Sequence, residues 1–398
     1  MRFLHIADLH IGKRVNGMSM LDDQRFILNQ IISIVRDRQI DAVLVAGDIY
    51  DKTSPSAEAV TVFDGFLSEL AALGVRVFAV PGNHDSAERI AYAQGLLAHQ
   101  GVWFPPVYAG TVERVELEDE FGKIDVWLLP FLRPGDVRRF FPEQDIGDDY
   151  SAAIAAALGA CDVDDSIRNI IVSHQLVTAA GKEPDRAEDE IKLGGIDNVD
   201  ASRYAQFDYV ALGHVHRPQR VGRDSIRYAG SPLKYSLSEA RYNKSVTLVE
   251  LGAKQLGDAP GSCVQFELVP LSPLHDMREV RMSLDDLLAQ GATNDIGVDD
   301  YLHVTLTDEH PQLDAMRRIH EVYPNAMSLD YDNAAVFAHR DHARTAVDPD
   351  KLDTVDLFST FYEEQLGRPL DDVQLSLVKK VVRAVEGARP SDEEGGDR

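Results

Sequence analysis

Five short apolar segments of this chain each run straight into a turn carrying aspartate, histidine or asparagine. Residues 3–7 lead to Asp8-Leu9-His10, residues 42–46 to Gly47-Asp48, and residues 75–80 to Gly82-Asn83-His84-Asp85. Residues 170–173 lead to His174, and residues 209–213 to His214-Val215-His216. The segments are short and rich in β-branched residues, and further strands are expected at 126–130 and 245–251. Amphipathic stretches at 21–38, 57–73, 87–99 and 151–158 alternate with them, the pattern of a layered α/β domain. Carboxyl ends of parallel strands share one edge of an open sheet, and ligands sit at that edge. Residues i and i+2 at a strand end face the same way, so Asp8 and His10 converge, as do His214 and His216. One such residue alone usually caps a helix or satisfies a buried polar group. Five turns with this mixed set, eased by glycines that permit close approach, specify a site.

Asp8, His10, Asp48, Asn83, His174, His214 and His216 offer imidazole, carboxylate and amide donors without thiolate. That mixture suits manganese, iron or zinc better than calcium. Seven donors exceed the needs of one ion and fit two that share a carboxylate, for which Asp48 is central in chain order. Two ions about 3.5–4 Å apart activate water and stabilise the oxygens of a displacement at phosphorus. A phosphate ester is therefore the expected substrate class. His84 is left free to protonate a leaving oxygen or to stabilise phosphate charge, with Asp85 expected to fix its tautomer.

Further along, the Gly- and Pro-containing stretch 255–262 reads as a linker. Residues 264–335 then read strand, helix, strand, helix, strand, and the polar segment 339–349 reads as a second linker. Two amphipathic helices follow, one marked by Val355, Phe358, Phe361, Tyr362 and Leu366. The other is marked by Leu370, Val373, Leu377, Val381 and Val385. A lone helix pair cannot bury both apolar faces by itself, which points to docking on a partner or on its own body. The stripe Val62, Phe63, Phe66, Leu67, Leu70 and Leu73 fits a core-facing helix or a subunit interface.

The set D-x-H, G-D-x-x-D, G-N-H-D, H and G-H-x-H resembles the calcineurin-like metallophosphoesterases. FLHIADLHIGKR, GDIYDKTSPS, PGNHDS, ALGHVHRPQ and YAGSPLKYSLSEA are similar to the SbcD family of bacterial nuclease subunits. The resemblance implies an α/β fold, a layered β-sandwich flanked by helices, over residues 1–254. It also implies an α+β DNA-capping domain at 264–338 and a C-terminal helix pair at 350–387, while the composition of residues 388–398 reads as a disordered tail. One metal would be held by Asp8, His10, Asp48 and His216, the other by Asp48, Asn83, His174 and His214, with His84 catalytic. The implied activity is manganese-dependent cleavage of DNA, 3′ to 5′ on duplex ends and endonucleolytic on hairpins and single strands. The implied partners are DNA, an SbcC-like ATPase subunit bound by the helix pair, and a second copy of the chain through helices 57–73 and 87–99. Archaeal relatives carry histidine where Asp51 stands here.

Charge bears on the substrate. Lys+Arg number 40 against Asp+Glu 66, a net −26, which argues against broad attraction to polyanions. A site needs only a local field, however. Lys13, Arg14, Arg217 and Lys234 are candidate substrate contacts, and Arg133, Arg138, Arg139, Arg220 and Arg223 also lie near the motifs in sequence. Cys161 and Cys263 cannot build a disulfide framework, and no apolar run approaches membrane-spanning length, so a cytoplasmic protein is expected. Two other classes compete. One is a small-nucleotide phosphodiesterase or phosphatase of the same superfamily, which Tyr50-Asp51-Lys52 and Asp85-Ser86 disfavour against the phosphoprotein phosphatase pattern. The other is a scaffold without metals, which the full donor set disfavours.

Overall fold

A computed structural model describes residues 1–186, 197–293, 297–332, 353–366 and 368–386, in two compact units, Met1–Arg278 and Glu279–Arg398.

The first unit is built on two six-stranded sheets. In the first, Arg2–Ile6, Ala42–Ala46, Arg76–Val80 and Val102–Trp103 run parallel in that order. Ser245–Leu251 pairs antiparallel on the other side of Arg2–Ile6. In the second sheet Gly122–Leu129, Arg168–His174, Tyr209–Gly213 and Arg223–Tyr228 run parallel, and Glu113–Asp119 and Gln219–Val221 close the edges antiparallel. The sheets pack face to face through Phe3, Leu44, Phe78 and Val80 of one and Val126, Leu128, Val172 and Tyr209 of the other. Residues between two sheets have no solvent face, so these strands read as continuous apolar runs rather than alternations.

Helices cover the outer faces. Leu21–Asp37 and Ala57–Ala72 pack on the first sheet through Ile27, Ile31, Val35, Phe63, Phe66 and Leu70. Val62, Phe63, Phe66 and Leu70 of the apolar stripe thus face their own core. Tyr150–Gly159, capped by Asp149, which accepts from the Ser151 and Ala152 amides, packs on the second sheet.

Two expectations are corrected in this unit. The helix expected at 87–99 is two short ones, Ala87–Ile90 and Gln94–Ala98. Ala93 between them has φ 58°, which breaks the α-helical path. The strand Val264–Pro270 does not open the following domain but pairs antiparallel with Ser245–Leu251, in register from Ser245↔Pro270 to Leu251↔Val264. Residues 255–262 are therefore the loop of a hairpin, with Gly257 and Gly261 both at φ 89°. The same composition serves a linker and a turn, because both need glycine's freedom.

The second unit holds a three-stranded sheet in the order Met277–Met282, Tyr301–Leu306, Ala326–Tyr331. Leu284–Ala292 and Ala315–His320 pack with it around Leu287, Leu302, Val304, Ile319 and Tyr323. The strand Met277–Met282 has no counterpart among the strands expected from sequence. Two amphipathic helices, Thr354–Leu366 and Asp372–Glu386, follow. The expected linker 339–349 and tail 388–398 lie outside the described residues.

Candidate metal centre

All five motif turns leave the carboxyl ends of parallel strands on one edge of the first unit. Asp8, His10, Asp48, Asn83 and His84 come from the first sheet, and His174, His214 and His216 from the second. Each sheet thus supplies part of one site. The turns are strained: Asp8, His10, Asp48 and His214 have φ of 54°, 43°, 48° and 98°. Non-glycine residues rarely hold such values, and those that do cluster at functional sites.

The glycines beside them are spatially required. A Cβ on Gly47 would lie 2.2 Å from His174 Nδ1, one on Gly82 2.2 Å from Asp48 Oδ1, and one on Gly213 1.8 Å from the Ala46 carbonyl oxygen. Each glycine clears room for the neighbouring donor or the strand that carries it.

The donors converge on Asp48. Its Oδ2 lies 3.6 Å from His10 Nε2 and 3.4 Å from His174 Nε2. Asn83 Oδ1 lies 3.1 Å from His174 Nε2 and 3.0 Å from His214 Nδ1, while His10 Nε2 and His216 Nε2 face each other at 3.2 Å. Potential ligand atoms of Asp8, His10 and His216 lie within 4.8 Å of one another, and so do those of Asp8, Asp48 and His174. Several rings are oriented from behind. His174 Nδ1 faces the Ala46 carbonyl at 2.8 Å, and His216 Nδ1 faces Glu239 Oε1 at 2.9 Å. In each case the outer nitrogen is held from behind, and Nε2 is the nitrogen that would face a bound cation, which would displace any proton there.

The residues fit divalent cations. Asp8 Oδ1 accepts from the His214 amide at 2.9 Å, but its Oδ2 is buried with no hydrogen-bond partner, as is His10 Nδ1. An orphaned buried polar atom costs about 1–3 kcal/mol, which a bound cation would offset at Asp8. Charge points the same way. Burial raises the Asp8 carboxyl to about 6 and pushes the His10 imidazole well below its ordinary range. Burial would lower His174 too, but the Asp48 carboxylate lifts it to about 9. Against its own burial, Asp48 is held well below the usual carboxylate range by His174 and His10. The oxygen and nitrogen donors gathered here suit manganese, iron or zinc.

The remaining expected site residues divide. His84 lines the cleft, a cavity of about 210 Å³. Its ring Nδ1 donates to the Asp51 carbonyl at 3.0 Å, and its amide donates to Asp48 Oδ1 at 2.9 Å. Asp85 does not fix that ring. Its carboxylate instead accepts from the amides of Ile49, Tyr50 and Gly82 at 3.0, 2.9 and 2.9 Å, tying two of the motif turns together. Three donated amides satisfy it before it can reach an imidazole. Lys13 lines the cleft and pairs with Asp51 at 3.0 Å. Arg14 and Arg217 are not among the cleft residues: Arg14 donates to the Gly17 carbonyl and Arg217 pairs with Asp185 at 3.0 Å. Lys234 turns away to Asp276 at 2.8 Å and to the carbonyls of Ala240 and Met277. Arg223 is held by the carbonyls of Phe207 and Pro260.

Several contributors have no sequence-based assignment, among them Glu239 behind His216, Gln24 and Arg186. Gln24, buried on the core side of its helix, donates to the His10 carbonyl at 2.8 Å and accepts from the Gly12 amide at 2.9 Å. A glutamine among apolar stripe positions was the available signal. Arg186 also lines the cleft, and its guanidinium pairs with Glu183 at 2.6 Å.

The profile of the calcineurin-like phosphoesterase family matches residues 1–218, more than half of the 398. The chain belongs to that family. A second profile, SbcD_C, described as the type 5 capsule protein repressor C-terminal domain, matches residues 273–365. The SbcD subunit of the SbcCD nuclease of Staphylococcus epidermidis is 29% identical over 391 residues, covering 96% of this chain and 98% of that protein. Among solved structures, a dimetal phosphatase from Danio rerio is 15% identical at a TM-score of 0.37, over 68% of this chain and 99% of its own. A protein of Thermus thermophilus is 13% identical at a TM-score of 0.37, over 62% of this phosphoesterase and 92% of its own chain.

Proposed function

We propose that this phosphoesterase is the nuclease subunit of an SbcCD-type complex, hydrolysing DNA phosphodiesters at a two-ion centre in the cytoplasm. The observation that carries the chemistry is Asp48 Oδ2, lying 3.6 Å from an imidazole of one donor group and 3.4 Å from an imidazole of the other. The relationship to the staphylococcal SbcD protein over nearly the whole of both chains supports the substrate.

Asp8, His10, Asp48 and His216 would hold one ion, and Asp48, Asn83, His174 and His214 the other, with manganese the preferred metal. When bound, the ions supply Lewis acidity, activating water and neutralising charge on the phosphoryl oxygens. The chain's residues orient and exchange protons around them. His84, its Nδ1–H held on the Asp51 carbonyl, would present Nε2 to the cleft and, as the imidazolium, would give its Nε2 proton to the leaving oxygen, ending as the neutral Nδ1–H ring. Lys13 Nζ, held by Asp51, gives the cleft a positive charge for a neighbouring phosphate.

Cleavage is 3′ to 5′ on duplex ends and endonucleolytic on hairpins. The helix pair is the docking element for an SbcC-like ATPase. Homodimer contacts fall to the exposed Val60, Leu73, Tyr92 and Leu96 rather than to the buried Val62, Phe63, Phe66 and Leu70. The test is His84→Gln with direct metal analysis. Two manganese ions retained with DNA cleavage reduced at least about 100-fold is the expected result. Loss of metal, or cleavage near wild-type rate, would remove His84 from this role. Efficient hydrolysis of a small diester with no action on DNA would defeat the nuclease reading.

A further inference from the structure

The segment Gly230–Lys244 supplies no direct metal donor, yet it closes around His216 from behind. Glu239 is fully buried. Its Oε1 accepts from His216 Nδ1 at 2.9 Å and from the Tyr235 amide at 3.4 Å, and its Oε2 takes the Lys244 ammonium. Lys244 Nζ donates in turn to the His216 carbonyl at 3.0 Å and to Ser231 Oγ at 2.7 Å. Ser231 Oγ donates in turn to the Leu233 carbonyl at 2.7 Å. One ion pair therefore grips both the ring and the backbone of His216. Gly230, at φ +76°, lets that backbone approach, since a Cβ there would stand 2.7 Å from the His216 carbonyl oxygen. The far side of the ring faces His10 Nε2 at 3.2 Å, inside the cluster of donors.

A buried Glu–Lys pair is a poor device for stability, because desolvation of both charges consumes most of their attraction. As an orienting device it is effective: a carboxylate on the outer nitrogen fixes the tautomer and ring plane of a ligating histidine and raises its basicity. We infer that Glu239, backed by Lys244 and Ser231, is a positioning residue that locks His216 as the Nδ1–H tautomer with Nε2 aimed at one ion of the pair. The inference rests on the two-ion reading of the centre and assigns a function to the SLSEA portion of the sequence.

The experiment is a calorimetric manganese titration of metal-free full-length protein, run on wild type, Glu239→Gln and the double variant Glu239→Gln/Lys244→Met. The double variant removes both buried charges at similar volume, a change that is often near neutral for stability. The expected result is one site weakened about 10- to 100-fold and the other unchanged. Cleavage should recover at high manganese with the Michaelis constant for DNA unaltered. Wild-type affinity at both sites in either folded variant would overturn the assignment. So would failure of the double variant to fold, which would make the pair a structural element instead. Wild-type protein that takes up fewer than two ions would sink the two-ion reading itself, a separate outcome.

Discussion

Asp8, His10 and Asp48 sit in a backbone region that costs a non-glycine residue about 1–3 kcal/mol. The strand behind each one is held between the second sheet on one face and helices on the other, which leaves the turn little freedom to relax into a cheaper geometry. Gly213 is the tightest case, because an added Cβ would fall 1.8 Å from the Ala46 carbonyl oxygen. Gly213→Ala must push apart two strands from different sheets. We expect a loss of at least about 2 kcal/mol in urea unfolding, together with weaker metal uptake. A variant as stable as wild type would show that the sheets part easily here. His5 makes a second residue-scale prediction. It is buried, bonded to Tyr209 OH at 2.9 Å and to the Leu212 carbonyl at 3.1 Å, and burial drops its imidazole to about 3. The unfolded chain takes up this proton near pH 6.5 and the folded chain only near 3. Stability from His5 is therefore complete above pH 6.5, falls as pH drops through that window, and is flat below it. From about pH 6.5 to 5 the loss is about 2 kcal/mol, and His5→Gln should flatten that part of the stability curve. An equal slope in the variant would assign the pH dependence to other groups. Donor residues were legible in the sequence because their chemical types are rare together. The roles of Asp85 and Lys234 were not, since both are satisfied by tertiary partners that spacing does not reveal.

At the scale of elements, the parallel strands read well because burial on both faces leaves an unmistakable apolar run ending in a polar turn. The hairpin partner Val264–Pro270 read poorly. It is an edge strand with Phe266 and Leu268 exposed, so its apolar residues do not distinguish it from a strand of the next domain. The segment at 87–99 has the composition of one helix, and only the backbone of Ala93 divides it. The C-terminal segment forms two helices, Thr354–Leu366 and Asp372–Glu386. Phe358 and Phe361 on Thr354–Leu366, and Val373, Leu377 and Val381 on Asp372–Glu386, all remain exposed. Gln374 donates to Tyr362 OH at 3.0 Å, which links the two helices. Apolar residues left exposed on both helices fit the docking role proposed for them. Phe361→Asp and Leu377→Asp together should weaken capture of an SbcC-like coiled coil at least about tenfold, since each places a charge at an apolar contact. Metal-dependent cleavage by the isolated chain should be unchanged. Full-strength capture by the double variant would move the docking surface elsewhere.

For the whole molecule, the −26 net charge and the metal centre bear on one another. Asp8 and Asp48 are buried at the edge where two sheets meet, with His174 and His214 arriving from the opposite sheet. A cation held by donors from both sheets would link them, so its binding free energy would also be folding free energy for the first unit. A ligand that binds only the native state stabilises it by about 2.7 kcal/mol at a hundredfold excess over its dissociation constant, for each site. Chelated protein should therefore melt at lower temperature than protein with excess manganese, and amide exchange should slow at Ala42–Ala46 and Tyr209–Gly213 together. The second unit, which carries none of the donors, should melt unchanged. Calcium should produce a smaller shift, because imidazole is a poor partner for so hard an ion. Magnesium at matched ionic strength controls for simple screening of the acidic surface, which acts on every exposed carboxylate alike. If magnesium and manganese raised the melting temperature of both units equally, the effect would be screening, and the sheets would owe nothing to the centre.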